Sequence, residues 1–485
     1  MLQHSAINSD QFFSKKVRQV QPRHINVCPA NMPVYQCAQV MKREKLSCLF
    51  IGPDSQNLQG YVTDITLRDN IVANNLSLET PIGEVMDPNI IFIDQEAYLY
   101  EALLMMFQTK TRYLLVKDGQ NYIGYISRTK ILTEQSQGPF IFIQSVKQAI
   151  NKEELRQKWG NVPIVVDQLI SRGVKAEIVN QVISTVADTI TLRVIENALR
   201  EKGPAPAKFV FFVLGSEGRE EQTLKTDQDN AIIYEDKANE HRELVRAYFL
   251  DFASHVSEQL DFIGFSFCKG GLMAKNPKWT HSLSHWKRNY ESWFQESTQE
   301  TVMKYSTFFD CRAIFGDFSL LEELKGYMDI QLQNPLERFF NNMGLNALQY
   351  EPPLTFFKNI RTFEIEGEKV FNIKKAMTPI VDLVRLFSLK NRIFETNTGK
   401  RIQKLTEKKV FTPKESQELA HAYYYLMALR LEKQALMMME KQKPAVNYVS
   451  IEELTKVEMV TLVEIFKVIK QFQLKVKINF TRSLI

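Results

Sequence analysis

A multidomain chain of α/β and all-α parts is the fold class this sequence predicts, on three observations. Its 485 residues are too many for one compact core and suit two to four domains. A strand-rich unit near the N-terminus occurs twice. Further on, a short apolar strand leads through a Gly-Ser turn to paired carboxylates and a second strand, and the C-terminal third of the chain reads mostly as helix. Hydrophobic residues make up 44% and charged residues 24%, an ordinary globular mixture that argues against wholesale disorder.

The repeat has an offset of 64 residues: Ala38 and Met41 match Ala102 and Met105, and Gly60-Tyr61 matches Gly124-Tyr125. Each copy opens on a short strand (Ile25 to Val27; Ile91 to Ile93) and continues into a helix carrying the Ala and Met. A β-rich run comes next (Cys48 to Ile51; Tyr113 to Val116), then a polar turn, PDSQN or KDGQN. The closing strand reads GYVT in one copy and GYIS in the other, with a helix after it. Units of this kind bury little alone and bury a core by pairing.

From about residue 141 to Gly203 the period becomes helical. Val179, Val182, Ile183, Val186, Ile190 and Val194 recur at spacings of three and four, the stripe of an amphipathic helix. Gly203-Pro204-Ala205-Pro206 stops it. Such a segment reads either as a transmitting connector or as simple packing.

The most informative stretch comes next, KFVFFVLGSEGREEQTLKTDQDNAIIYED. Phe209 to Leu214 reads as a buried strand, Gly215-Ser216 as a turn, the polar segment after it as the start of a helix, and Ala231 to Tyr234 as a second strand. Alternate residues of an extended chain point the same way, so Asp227 and Asp229 present two carboxylates on one side. Hard cations such as Mg²⁺ take oxygen ligands of this kind and bridge them to phosphates. The turn offers backbone N–H groups to the same phosphates.

These residues resemble two known families. The repeats look like a tandem pair of CBS (cystathionine-β-synthase) domains, marked by the glycine-led strand ending in Thr or Ser. That resemblance implies an adenine nucleotide as ligand, relayed to a neighbouring catalytic domain, with Thr63, Thr66, Ser127 and Lys130 at the ligand positions. Thr66 and Lys130 stand where the family carries a ribose-binding aspartate, which removes a charge-assisted hydrogen bond from each half. A dimerising or spacing module is the alternative. The GS…DxD stretch resembles the DNA-polymerase-β-like nucleotidyltransferases, and more narrowly the uridylyltransferases that modify nitrogen-regulatory PII proteins, through Gly215, Gly218, Arg219, Glu221, Asp227 and Asp229. It implies a two-metal Mg²⁺ site on Asp227, Asp229 and a third acid, for which Asp310 after Thr307-Phe308-Phe309 is the first candidate and Asp317 the second. Gly215, Ser216 and Arg219 would bind the nucleotide, with an ion pair to Glu220 or Glu221 as the competing reading of Arg219. Asp310 would also help to deprotonate the acceptor.

The block GFSFCKGGLMAKNPKW (264–279) and the C-terminal helices resemble a family of bacterial signal-transduction proteins that join CBS pairs, this catalytic domain and a helical domain. The expected organisation is a tail (1–24), CBS repeats (25–80 and 81–138), a helical connector (139–203), a polymerase-β-like nucleotidyltransferase domain with a mixed sheet (204–333) and a C-terminal helical domain (334–485). The expected reaction transfers a nucleoside monophosphate from a triphosphate to a protein or small-molecule acceptor under CBS control. Arg385, Thr398 and Arg401 are candidates to line the cleft, although basic residues on helices are usually exposed. A catalytically silent nucleotide-sensing scaffold and an RNA nucleotide-adding enzyme are the alternatives. A formal charge of +5 is slight for a nucleic-acid enzyme. The one basic cluster, Lys467, Lys470, Lys475, Lys477 and Arg482, sits among apolar residues at helical spacing and reads as the solvated face of a packed helix.

No Walker P-loop and no HExxH occurs, and His281 and His285, four apart, read as structural rather than zinc ligands. No His-Asp dipeptide occurs either, so no matching removal activity is expected. Five cysteines without a CxxC read as reduced thiols. With no secretory pattern at the start and no long apolar run, the expected location is the cytoplasm, without membrane partners. A homodimer is expected from the CBS resemblance alone.

Overall fold

The structure is a computed structural model and describes residues 15–133, 139–237, 241–355, 359–439 and 443–481. The chain divides into two compact units, one up to residue 144 and one from residue 145.

The first unit holds two three-stranded sheets of the same design. In one, β1 (Val27–Cys28) runs parallel to β2 (Cys48–Ile51), which pairs antiparallel with β3 (Gly60–Thr63). In the other, β4 (Phe92–Asp94), β5 (Tyr113–Asp118) and β6 (Asn121–Ser127) repeat that order. Each first strand feeds a ten-residue helix, α1 (Val34–Arg43) or α2 (Leu99–Gln108). In α1, Val34, Cys37 and Met41 turn inward at helical spacing. The two repeats share one core, in which Cys48 and Phe50 pack with Tyr113, Leu115 and Tyr125. This is the burial by pairing that apolar strands of this length need.

The expected tail is partly structural. Val17 and Val20 are buried, and Arg23 exchanges backbone hydrogen bonds with Tyr125 at 2.7 and 2.9 Å, extending the second sheet. Residues 1–14 and 134–138 of the expected segments lie outside the described residues.

The second unit is built on a mixed four-stranded sheet in the order β11-β9-β7-β12. Its centre is β7 (Phe209–Val213), buried throughout. Antiparallel to it lie β9 (Asn230–Tyr234) and β12 (Arg312–Gly316), and β11 (Thr280–Ser282) runs parallel to β9. A two-stranded ribbon pairs β8 (Asp227–Gln228) with β10 (Ser266–Phe267).

α3 (Lys152–Gly160) and α4 (Val162–Ser171) pack on α5 (Ala176–Lys202), which packs against the strands together with α6 (Arg242–Ile263) and α7 (Leu283–Gln295). Phe209 meets Phe249 and Phe252 of α6 at ring separations of 5.0 and 5.7 Å. Trp286 of α7 donates its indole N–H to the Ile232 carbonyl at 2.9 Å. Of the two readings of the connector segment, the packed one describes its long helix. α5 is long and apolar enough to cross a membrane by composition, but 78% of that window is buried in the protein. Asp188 on it forms a two-pronged pair with Arg312 of β12 at 2.8 and 2.9 Å, and Asn180 donates to the Gln222 carbonyl at 2.6 Å.

The C-terminal region carries α8 (Glu337–Ala347), α9 (Ile373–Lys390), α10 (Thr398–Glu407), α11 (Pro413–Met439) and α12 (Lys456–Phe480). It is not purely helical. β13 (Phe363–Ile365), β14 (Glu368–Asn372) and β15 (Tyr448–Ser450) form a small antiparallel sheet. On α12, Leu462, Ile465, Phe466, Ile469, Phe472 and Val476 are buried, while Lys475 pairs with Glu415 at 2.8 Å. Arg482 lies outside the described residues.

Candidate active site

The site begins where β7 ends. Gly215 takes φ +59° at the turn, in the left-handed region that glycine enters without steric cost. A single helical turn, Gly215–Gly218, comes directly after. The rest of the polar segment, expected to continue as helix, turns back at Glu220 with φ +58°. Gly218 is required by crowding: a Cβ there would stand 1.8 Å from the Asp310 carbonyl oxygen. So short a helix has little dipole to offer a phosphate.

The DxD strand has the alternation that its spacing implies. Gln228 points inward and donates to the Ser257 and Phe265 carbonyls at 3.0 and 2.7 Å. Asp227 and Asp229 point the other way, into a cavity of about 330 Å³ that Gly215, Ser216 and Arg219 also line. The strand is pinned on both sides: the Leu214 N–H donates to the Asp229 carbonyl at 2.9 Å, and Asn230 accepts from the Ala274 N–H at 2.8 Å. A carboxylate oxygen of each aspartate and the Cys268 sulfur lie within 4.8 Å of one another.

Asp229 Oδ1 is buried without a hydrogen-bond partner. Burial, and then the Asp227 charge, push the Asp229 pKa up to about 6. Two carboxylates crowded together with an orphaned buried oxygen are what a divalent cation relieves, so the residues present fit one. Beside them the Cys268 thiol is pushed up to about 11 by burial and the Asp229 charge.

Asp310 stands elsewhere, and the expectation that it completes the metal site is corrected. It is wholly buried, and three guanidinium groups take its oxygens. Arg219 donates to Oδ2 at 2.6 Å, Arg401 to Oδ1 at 2.6 Å, and Arg385 to both at 3.0 and 2.5 Å. Burial alone would raise its pKa; Arg385, Arg401 and Arg219 instead hold it well below the usual carboxylate range, where it is a poor base. Asp317 accepts from the Ser319 N–H at 3.1 Å, in the turn ahead of the helix Ser319–Gln331. Arg219 is spent in the same way: besides Asp310 it donates to Glu221 at 2.7 Å, so its ion-pair reading is the one the geometry carries. Arg385, Thr398 and Arg401 are buried rather than exposed, and only Arg385 of these borders the cavity.

The C-terminal helices line the cavity as well, through Lys374 of α9 and Arg430 of α11. Neither stands out in the sequence, where each is one basic residue on a helix among many. Cys268 lies in a block distinctive for its composition, without a role that composition assigns. His281 and His285 stack at 3.7 Å, with burial, the His285 ring and nearby arginines pushing His281 down to about 3; no carboxylate or thiol joins them in a ligand cluster among the described residues.

In the first unit, the Thr63 hydroxyl accepts from the Thr66 N–H at 3.2 Å and Ser127 from the Lys130 N–H at 3.3 Å. Both cap the helices that begin there. Lys130 Nζ donates to the Gln21 carbonyl at 2.6 Å.

Comparison with known proteins agrees with this division. Residues 160–300 match the family described as "Putative nucleotidyltransferase DUF294", and residues 337–480 its companion, "Putative nucleotidyltransferase substrate binding domain". Residues 17–73 and 82–136 match the CBS domain. The chain belongs to the DUF294 nucleotidyltransferase family and carries a CBS pair. The DUF294 match begins at α3–α4, inside the segment expected to be a connector. Among curated proteins, the CBS domain-containing protein CBSCBSPB1 of Arabidopsis thaliana is 29% identical over 105 residues, 21% of this chain and 19% of that protein. CBSCBSPB2 of the same plant is 30% identical over 100 residues, 20% of this chain and 19% of that protein. The match thus spans about a fifth of these relatives' length. A solved structure similar to part of the chain is the CBS domain protein PAE2072 from Pyrobaculum aerophilum complexed with AMP. It is 16% identical, covers 24% of this chain and 96% of its own, and has a TM-score of 0.22.

Proposed function

We propose that this DUF294 protein is a divalent-metal-dependent nucleotidyltransferase, similar to the PII uridylyltransferases, acting on a protein or small-molecule hydroxyl. The observation that carries the reading is the Asp227–Asp229 pair, with its orphaned buried oxygen, facing a cavity walled by cations. Asp227 and Asp229 would hold Mg²⁺, which when bound would draw the nucleophile toward the α-phosphate and stabilise the leaving oxygen. Ser216 and the Gly215 turn border the same space and would orient the nucleotide. The acceptor oxygen bonds to the α-phosphorus, the bond to the β-phosphate oxygen breaks, pyrophosphate leaves, and the hydroxyl proton passes to water in the open cavity. Asp310, clamped by arginines, holds the walls together and takes no proton. The CBS pair would regulate this site in the cytoplasm, with an adenine nucleotide the ligand class to test and a homodimer the expected assembly.

One observation favours a second reading, a nucleotide-binding scaffold without turnover: no third carboxylate joins Asp227 and Asp229 in a ligand cluster among the described residues. Calorimetric titration of the four ribonucleoside triphosphates with Mg²⁺ tests the first part, on wild type and on Asp227→Ala/Asp229→Ala. Metal-dependent binding that the double variant loses supports the site. Equal binding by both proteins sinks it. Transfer of label from an α-labelled triphosphate then separates enzyme from scaffold.

A further inference from the structure

Arg430 is 7% exposed, yet it has no carboxylate within ion-pair distance among the described residues. Its Nε donates to the neutral Asn447 side chain at 2.9 Å, which orients the guanidinium without neutralising it. Gln434 donates to the same Asn447 oxygen at 3.2 Å, so the support is itself held. A buried charge left uncompensated is costly. Burial pushes Arg430 down to about 10, even with the Asp227 charge acting in its favour. Lys374 borders the same cavity and likewise makes no ion pair among the described residues. Lys374 is exposed by surface area, but desolvation of its ammonium by the surrounding protein, and then the Arg430 charge, push it down.

Two like charges kept together on the lining of a cavity that also carries Asp227 and Asp229 describe an anion site that the protein does not fill from its own side chains. An anion in that cavity would meet a cation held by the two aspartates and two basic side chains besides, as a polyphosphate chain does. Arg219, the sequence's candidate for this task, is committed to Asp310 and Glu221.

We propose that Lys374 and Arg430 bind the β- and γ-phosphates of the nucleoside triphosphate, so that the C-terminal domain supplies the polyphosphate half of the site. This rests on the nucleotidyltransferase reading and extends it. It also gives the C-terminal domain a direct part in triphosphate recognition, beyond whatever it contributes to the acceptor.

The test is calorimetry on the full chain with Mg²⁺, using the nucleoside triphosphate that wild type binds, the matching monophosphate, inorganic tripolyphosphate and orthophosphate. Lys374→Ala and Arg430→Gln should each weaken triphosphate and tripolyphosphate binding by about tenfold or more, as expected for a lost charged hydrogen bond. Monophosphate binding should stay within about twofold. Lys374 is exposed to the cavity, so its truncation tests the site without threatening the fold. Unchanged triphosphate affinity in the Lys374→Ala/Arg430→Gln double variant overturns the proposal and leaves the metal-site reading standing. Orthophosphate bound as tightly as tripolyphosphate overturns it too, since one phosphate would then suffice. A wild type that binds no triphosphate overturns both.

Discussion

Three arginines of the second unit converge on Asp310. Arg219 comes from the catalytic turn, Arg385 from α9 and Arg401 from α10, so one carboxylate joins the nucleotidyltransferase sheet to two C-terminal helices. Glu221 and Asp382 balance the remaining charge through Arg219 and Arg385. Removing one partner of a buried pair leaves the others uncompensated, at about 3–5 kcal/mol. Asp310→Ala should lose that much in urea unfolding, and a loss under about 1 kcal/mol would show the clamp to be incidental. Asp229 makes the opposite prediction. Its pKa of about 6, against an ordinary 3.8, means the folded state binds the proton more tightly than the unfolded chain. The metal-free protein should therefore lose stability as pH rises from about 4 to 6, and stay lower above that. Asp229→Asn should flatten this slope and raise stability at pH 8 by about 1–2 kcal/mol, after allowance for water in the cavity. Thermal unfolding in chelator from pH 4 to 8 measures it; a variant less stable than wild type at pH 8 would contradict the strain at this carboxylate.

The turn from β7 into Gly215–Gly218 is the element that sets the site. Its conformation depends on two backbones touching, since the Asp310 carbonyl fills the place of a Gly218 side chain. Gly218→Ala should cost about 3 kcal/mol or more and abolish triphosphate binding, whereas Gly326→Ala, inside the helix Ser319–Gln331 with nothing within 4 Å of the added carbon, should stabilise by about 0.5–1 kcal/mol in thermal unfolding and leave the titration unchanged. This turn and the DxD strand are legible in the sequence because the residues that form the motif, Gly215 to Asp229, are contiguous, and strand alternation decides which way each aspartate points. The CBS strands are legible for a similar reason, written twice. Asp310 misleads because a carboxylate after an apolar run looks the same whether it faces a metal or a cluster of arginines. The partners that decide it lie 91, 75 and 91 residues away in sequence. Lys374 and Arg430 are invisible on the same ground: a helix periodicity ranks faces by hydrophobicity and says nothing about which lysine ends at a cavity.

At the scale of the molecule, the two units have separate cores. The paired repeats close theirs with Phe50, Tyr113 and Tyr125, and the second unit closes its own around β7 and the C-terminal helices, with α5 inside it rather than between the units. Every residue assigned to metal or triphosphate lies after residue 145. Domains with their own cores fold and bind alone by default, so a fragment of residues 145–485 should be folded and should bind Mg²⁺-triphosphate within about threefold of the whole chain when no CBS ligand is present. Any response of the whole chain to AMP or ATP that the fragment lacks would then belong to the CBS pair, because the coupling between two sites needs both to be present. Titrating the triphosphate into the chain and the fragment, with and without AMP, separates these terms. A fragment that is folded by circular dichroism but binds more than about tenfold more weakly would mean that the first unit completes the nucleotide site, and the boundary between regulation and catalysis would have to be redrawn inside the cavity itself.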